Sequence, residues 1–508
     1  MEPVRGTGLH ELAAHADPSL VSRIWNRDSS AWPPGEDDPS ERLGWLDLPG
    51  VMQAAAGELE SFGDAVASGG VTAVVLLGMG GSSLAPEVFA KTFDVGSSRP
   101  SLIVLDSTHP DQIRAVSERL DLATTLFVVS SKSGGTIETI SLYRYFRSQV
   151  DDGDRFVAIT DPGTSLEKLA AAERFRAVWR AQSDIGGRYS ALSHFGMVPA
   201  ALIGAPLREV LDGAEDMADR CRRVEVDNPG LALGYAIGEA AANGKDKLSF
   251  SISEEIGSFG TWLEQLIAES TGKQGRGIVP IVDEPPAQGA VYGPDRAFVS
   301  INLAQGSSAE VPGPRSPGSP VIQIETDSPL ELGAEMYRWE FATAVACSVL
   351  DINAFDQPNV EAAKRVTREL LESKADLAWP EEDPDEVFGG SAPPDLACLL
   401  AFAPASPANR EVLASGRRKV LLGHGVATMS GFGPRYLHST GQLHKGGSKH
   451  VRALIVLDQP ERDQPIPGSP HTFGRLITAQ AAGDARALQQ AGQRVARTTW
   501  QRFVEWAT

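Results

Sequence analysis

Val71 to Pro86 reads VTAVVLLGMGGSSLAP, and Thr125 to Thr139 reads TLFVVSSKSGGTIET. Each is an apolar run that breaks into a Gly/Ser/Thr-rich loop and then opens a helix. Such a loop exposes backbone N–H groups, and the helix behind it adds the positive end of its dipole. Two of these loops on one sheet, both rich in hydroxyls, predict a site for a phosphorylated small molecule.

Around these stretches strands and helices alternate. VTAVVLLG, SLIVLDS, TLFVVSS and RFVAITD read as strands, followed by helices from about Leu84, Pro110, Thr136 and Ser165. The alternation pauses at IGGRYSALS (Ile185 to Ser193) and resumes. LALGYAIGEAAANG, TWLEQLIAESTG and ELGAEMYRWEFATAVACSVLDI read as helices; KLSFSIS, GIVPIVD, RAFVSINL and VIQIETD read as strands. Short strands alternating with helices build parallel sheets. The expectation is an α/β protein with two tandem parallel-sheet units, at 46–200 and 225–370, after a helical lead-in at 1–45. Pro380 to Asp395, PEEDPDEVFGGSAPPD, reads as a linker. A small C-terminal α/β segment follows at 390–508, with strands at DLACLLAFAP, KVLLGHG and HVRALIVLD and a closing helix from about Thr472.

The 508 residues are 42% hydrophobic and 22% charged, enough to bury two or three cores. A formal net charge of -20 argues against a nucleic-acid binder, which carries a basic stripe. It leaves a phosphate site open, because backbone amides and a few local cations suffice. Cys221, Cys347 and Cys398 are scattered and lack metal-ligand spacing, which predicts free thiols in a reducing compartment. The start MEPVRGTGLHELAAHADPSL lacks a signal-peptide pattern, and no apolar run approaches the ~20 residues that span a bilayer. The expectation is a cytoplasmic protein, without membrane or nucleic-acid partners, without metal or other cofactor, and monomeric or homodimeric.

Individual motifs carry different weight. GMGGSS (Gly78 to Ser83) approaches the dinucleotide fingerprint but has Ser83 at the third glycine, and Asp106 is late for a ribose ligand. Alone it is a tight turn or a ligand loop. SSKSGGTIET (Ser130 to Thr139) crowds hydroxyls, two glycines and a lysine between strand and helix, without a GxxxxGK[ST] pattern. That favours a phosphate or sugar-phosphate cradle. In GGRYS, Arg188 follows two glycines and reads as a surface ion pair or a ligand contact. Gln265 and Glu269 share one face of a largely buried helix, and a buried glutamate needs a partner or a function. Glu264, on the same helix, reads as its exposed neighbour. Gln357 precedes Pro358 at a helix start, with Lys364 two turns on. HSTGQLHKGG (His438 to Gly447) holds two histidines and Lys445 without zinc spacing, so it is an acid–base or a satisfied polar loop.

Together and in this order, these segments resemble the phosphoglucose isomerase family over roughly residues 70–370. GPRYLHSTGQLHKGG and IPGSPHTFG extend the likeness to the isomerase part of bifunctional transaldolase/isomerases. The resemblance implies two SIS-type (sugar isomerase) parallel-sheet sandwich subdomains. It implies that Ser131, Ser133 and Thr136, with the backbone near Lys132, hold a phosphate, and that Gly81 and Ser82 approach the sugar. Glu269 matches the family's base, Arg188 its oxyanion partner, Gln265 and Gln357 its polar supports, and Lys364 its ring-facing lysine. Glu138 matches a carboxylate that orients the ring-opening histidine.

Two departures stand out. SKSGG replaces the family's SKT followed by an aromatic. The usual histidine is also missing, since no histidine lies between Glu269 and Gln357; His438 is the substitute, with His444 next. The implied activity is the metal-free interconversion of glucose 6-phosphate and fructose 6-phosphate through a cis-enediol. The rivals are a sugar-phosphate-sensing module, which needs no Glu269, Gln357 or Lys364, and an isomerase that also accepts mannose 6-phosphate. A transaldolase activity needs a separate barrel of about 250 residues, which the first 70 residues do not supply.

Overall fold

The computed structural model describes residues 5–7, 15–93, 96, 98–225, 227–313, 315–373 and 378–508. Three sheets organise them. The first is parallel throughout, in the spatial order Ser101–Leu105, Ala73–Gly78, Thr125–Ser130, Phe156–Thr160, Ala177–Arg180. The middle sheet runs Arg5–Thr7, Val321–Thr326, Arg296–Leu303, Lys247–Ile252, Val279–Ile281, with only Arg5–Thr7 antiparallel. The C-terminal sheet is parallel, in the order Ala427–Phe432, Leu396–Phe402, Val451–Leu457, Arg494–Thr499.

The continuous apolar runs have a simple cause: helices cover both faces of the first sheet, so both alternations of its central strands Ala73–Gly78, Thr125–Ser130 and Phe156–Thr160 are buried. Val74, Leu76, Val128 and Val157 face one core, which they share with the middle sheet and the buried helix Leu332–Val349. Val75, Leu77, Phe127 and Val129 face a second core, capped by Phe473, Leu476 and Ala479 of the C-terminal helix Phe473–Gln490. That helix also places Ile477, Ala481 and Leu488 in the core of the C-terminal sheet. One helix thus ties the last segment to the first sheet.

Four expectations change. KVLLGHG is the end of a helix, Pro407–His424, not a strand. Its buried residues Leu413, Gly416, Arg417, Val420 and Leu421 recur at helical spacing, and Gly425 ends it at φ +66°. The stretch read as a linker folds: Pro384–Phe388 is a helix capped by Asp383, and it buries Val387 and Phe388 against the C-terminal sheet. A strand, Arg494–Thr499, and a helix, Trp500–Ala507, follow the closing helix. This edge strand buries alternate residues only, so it lacks the apolar signature of its neighbours. Within 1–45, expected to be helical, the described residues hold the strand Arg5–Thr7 and the helix Ser19–Trp25; 1–4 and 8–14 lie outside the described residues. Among the described residues no helix is long and apolar enough to cross a membrane.

Candidate active site

Both opening loops lie where first-sheet strands end, the usual ligand edge of a parallel sheet. Ser131 follows the strand Thr125–Ser130, and Thr136 caps the helix Ile137–Arg147. Their hydroxyls lie 2.9 Å apart. Ser133 and Thr136 border a cleft of ≈240 Å³ together with Gly81, Ser82, Gln265 and Glu269. Gln357, Lys364 and His438 complete its rim. Lys132 also lines the cleft, with its ammonium paired to Asp161.

The glycines at 80 and 81 are demanded by close approach. Gly80 has φ +55°, and a Cβ there would stand 2.5 Å from the carbonyl oxygen of His438. A Cβ on Gly81 would stand 1.9 Å from the carbonyl oxygen of Gly187. The GMGGSS loop is therefore pressed against both the GGRYS turn and the His438 turn.

Gln265 and Glu269 project from the helix Phe259–Thr271, one turn apart as their spacing predicts. Gln265 Nε2 donates to Glu269 Oε2 at 3.0 Å and to the carbonyl oxygen of His438 at 2.9 Å. Behind Glu269 stands Arg188, whose Nη1 is 3.3 Å from Glu269 Oε1. The guanidinium is buried and donates to Ser270 Oγ at 2.9 Å and to the Ala354 carbonyl at 2.6 Å. Gln357 precedes the helix Pro358–Glu372, which presents Lys364 to the cleft.

His438 comes from the C-terminal segment. Its Nε2 lies 2.9 Å from Glu138 Oε1, in the first turn of the helix Ile137–Arg147. Burial alone raises the Glu138 carboxyl, but His438 and Lys364 outweigh it and hold the group below its ordinary value. The turn Arg435–His438 is moored by Arg435, which ion-pairs with Glu87 and, at 2.9 Å, with Asp106. Asp106 is thus an anchor for the histidine turn. Glu138 borders a second chamber of ≈420 Å³ that shares Ser133, Thr136, Lys364 and His438 with the cleft. Every residue to which the family resemblance gives a role therefore borders one of these two adjoining spaces, except Arg188 behind Glu269 and Ser131 beneath the loop.

His444 lies elsewhere. It is buried, and neither ring nitrogen has a hydrogen-bond partner among the described residues. Burial, reinforced by Lys445, pushes its imidazole down to about 3. It is a neutral core histidine. Glu264 is not the exposed residue its sequence suggested: it borders a third cavity of ≈610 Å³ beside Arg417 and Asp283. Burial raises its carboxyl to about 8 despite Arg417. The C-terminal segment that covers it is invisible from helix periodicity. Sequence reasoning also missed Gln480, which donates to Glu138 Oε1 at 2.7 Å, and Lys273, which grips Asp356 and the Asn353 carbonyl beside Arg188. The dipeptide Gly272–Lys273 just past the helix Phe259–Thr271 was a visible signal for Lys273; Gln480 carried none. Among the described residues no group of three or more His, Cys, Asp and Glu side chains is gathered to hold a metal ion.

Titratable side chains converge on a hydroxyl-lined cleft at the mouth of parallel strands, and the relatives of this chain are aldose–ketose isomerases. A family model described as phosphoglucose isomerase matches residues 51–283. The glucose-6-phosphate isomerase of Prochlorococcus marinus is 27% identical over 417 residues, covering 72% of this chain and 76% of that protein. The probable glucose-6-phosphate isomerase of Haloquadratum walsbyi is 30% identical over 352 residues, covering 61% of this chain and 81% of that one. The crystal structure of a glucose-6-phosphate isomerase from Chlamydia trachomatis shares the fold at a TM-score of 0.59 and 19% identity, covering 72% of this chain and 85% of that one. The chain belongs to the phosphoglucose isomerase family.

Proposed function

We propose that this chain interconverts glucose 6-phosphate and fructose 6-phosphate by proton transfer beside a carbonyl. The observation that carries the reading is the convergence of Glu269 with Gln265 and His438 with Glu138 on one cleft, beside the hydroxyls of Ser133 and Thr136. The phosphate sits at the start of the helix Ile137–Arg147, on Ser131, Ser133, Thr136 and the loop amides including that of Lys132. Gly81 and Ser82 leave room for the sugar, and Gln357 borders it.

Ring opening breaks the bond between C1 and the ring oxygen. The ring oxygen gains a proton and the C1 hydroxyl loses one, with His438 and Lys364 at the two oxygens. Glu269 then takes the proton from C2 to give a cis-enediolate. The hydroxyl proton passes from O2 to O1, giving the second form of the cis-enediol stage, and Glu269 returns its proton at C1, leaving the carbonyl at C2. Arg188, already fixed by Ser270 and the Ala354 carbonyl, stabilises the developing negative oxygen without reorganising. General-base catalysis of this kind is worth about 10²–10⁴-fold. Phosphate binding supplies positioning remote from the reacting carbons. Three units, at 46–200, 225–370 and 390–508, fit this division of labour, the last supplying His438.

A coupled assay of fructose 6-phosphate conversion tests the reading, run with and without a strong chelator. Turnover unchanged by exhaustive chelation is expected. Loss of turnover that an added divalent ion restores would overturn the metal-free mechanism, and no turnover under either condition would overturn the function.

A further inference from the structure

The Glu138–His438 pair does not end at the carboxylate. Glu138 Oε1, which faces His438 Nε2, also accepts a hydrogen bond from Gln480 Nε2 at 2.7 Å. Gln480 lies on the C-terminal helix Phe473–Gln490 and is fully buried. Its own Oε1 accepts from the hydroxyl of Thr108 at 2.7 Å. Thr108 is likewise buried, just past the first-sheet strand Ser101–Leu105. Four separate segments therefore meet in one hydrogen-bonded chain running Thr108, Gln480, Glu138, His438.

The chemistry of this chain has one direction. An amide can turn either its oxygen or its NH2 toward a carboxylate, and only the NH2 is attractive. The Thr108 hydroxyl holds the amide oxygen and so commits the NH2 to Glu138. This donor differs from His438 in a way that matters during turnover. Histidine gains and loses its proton in ring opening, and when neutral it no longer supports the buried carboxylate by charge. An amide does not titrate in the working range and supports the carboxylate in both states. Without it, a desolvated Glu138 would compete for the proton that His438 has to deliver.

We propose that Gln480, oriented by Thr108, is a positioning residue that holds the Glu138 carboxylate against His438 through the ring-opening step. This rests on the reading of His438 as the ring-opening shuttle. The charged groups around Glu138 on its chamber are His438, Lys364, Arg368, Lys445 and Asp484, the last two paired with each other. Oε1 carries both the His438 ring nitrogen and the Gln480 amide, so the uncharged donor stands beside the titrating one on a single oxygen.

The test separates ring opening from isomerisation. Exchange between the two anomers of glucose 6-phosphate, followed by exchange NMR, reads ring opening and closing alone. A coupled assay reads the whole reaction. Gln480→Met keeps length and removes the donor, and Thr108→Val keeps the donor but frees the amide to turn. Loss of a hydrogen bond to a buried charge corresponds to roughly a tenfold or larger effect. Gln480→Met is expected to slow enzyme-catalysed anomer exchange about tenfold. It should also move the acid limb of kcat/KM up by about one pH unit, because Glu138 then takes a proton at higher pH. Thr108→Val should act in the same direction by about threefold. Wild-type anomer exchange and an unmoved acid limb in Gln480→Met would overturn the proposal. If that variant does not fold, an unmoved acid limb in Thr108→Val overturns it instead. Failure of the unaltered chain to isomerise fructose 6-phosphate would remove the functional reading itself, a separate outcome.

Discussion

The two halves of the active site are built in opposite ways. The proposed phosphate cradle is local: Ser131, Ser133 and Thr136 follow one strand and start one helix, within six residues of chain. The proposed acid–base half is assembled from remote segments. His438 reaches Glu138 across 300 residues, and Gln480 reaches it across 342. A local cradle needs only a turn and a helix dipole, so its geometry is set once the strand and helix form. The remote half depends on the docking of the C-terminal segment, held by Arg435 on Glu87 and Asp106 and by the packing of the helix Phe473–Gln490. Binding and chemistry are therefore separable by mutation.

The largest expected effect tests that separation on the chemical side. Glu269→Gln removes the base and leaves the cradle intact, so turnover should fall by at least ~10² with substrate affinity little changed. Turnover within a few-fold of the unaltered chain would take Glu269 out of the base role. The reciprocal change is Ser131→Ala with Thr136→Val. Fructose 6-phosphate binding should weaken by about tenfold or more, as the Thr136 hydroxyl on the charged group and the Ser131 hydroxyl that orients it are lost. Unphosphorylated fructose should be almost unaffected, as calorimetry of both sugars would show. Equal losses for the two sugars would move the phosphate elsewhere.

The smallest effect concerns the docked segment as a structure. His444 is buried neutral with its imidazole pushed down to about 3. The unfolded chain therefore binds one more proton than the folded chain between the ordinary histidine range near 6.5 and about 3. Stability from this residue is complete above that ordinary range and is lost as pH falls through the window, by up to about 1.4 kcal/mol per pH unit. Denaturant melts between pH 7 and 5 should show a shallower decline for His444→Leu than for the unaltered chain. An identical slope would mean that His444 is solvated or charged in the folded state.

Legibility followed the same division. The central first-sheet strands were readable because both faces are buried, which makes their apolar runs continuous, whereas the part-exposed edge strand Ala177–Arg180 was not read. The edge strand Arg494–Thr499 was not read either, since only alternate residues are buried. KVLLGHG was read as a strand because a short apolar run has no period of its own; the helical spacing appears only when the window extends back to Leu413. Glu264 and Glu269 lie five residues apart on one helix, and the sequence treated the first as solvent-exposed. Helix geometry says which residues share a face, but not which other segment covers the remaining faces.

By itself the sequence determined the α/β class, the two hydroxyl-rich loops, the shared face of Gln265 and Glu269, and the absence of a histidine between Glu269 and Gln357. These follow from periodicity, spacing and residue type, which are properties of neighbouring residues. Only the tertiary structure decided which of two histidines in one short loop faces a carboxylate. His438 lies in the Arg435–His438 turn against Glu138, whereas His444, six residues on, points into the core. Only it showed that Thr108 and Gln480 stand behind that carboxylate. A buried polar side chain carries no mark of its partner in the sequence, because the partner is chosen by how the segments pack and not by the residues beside it.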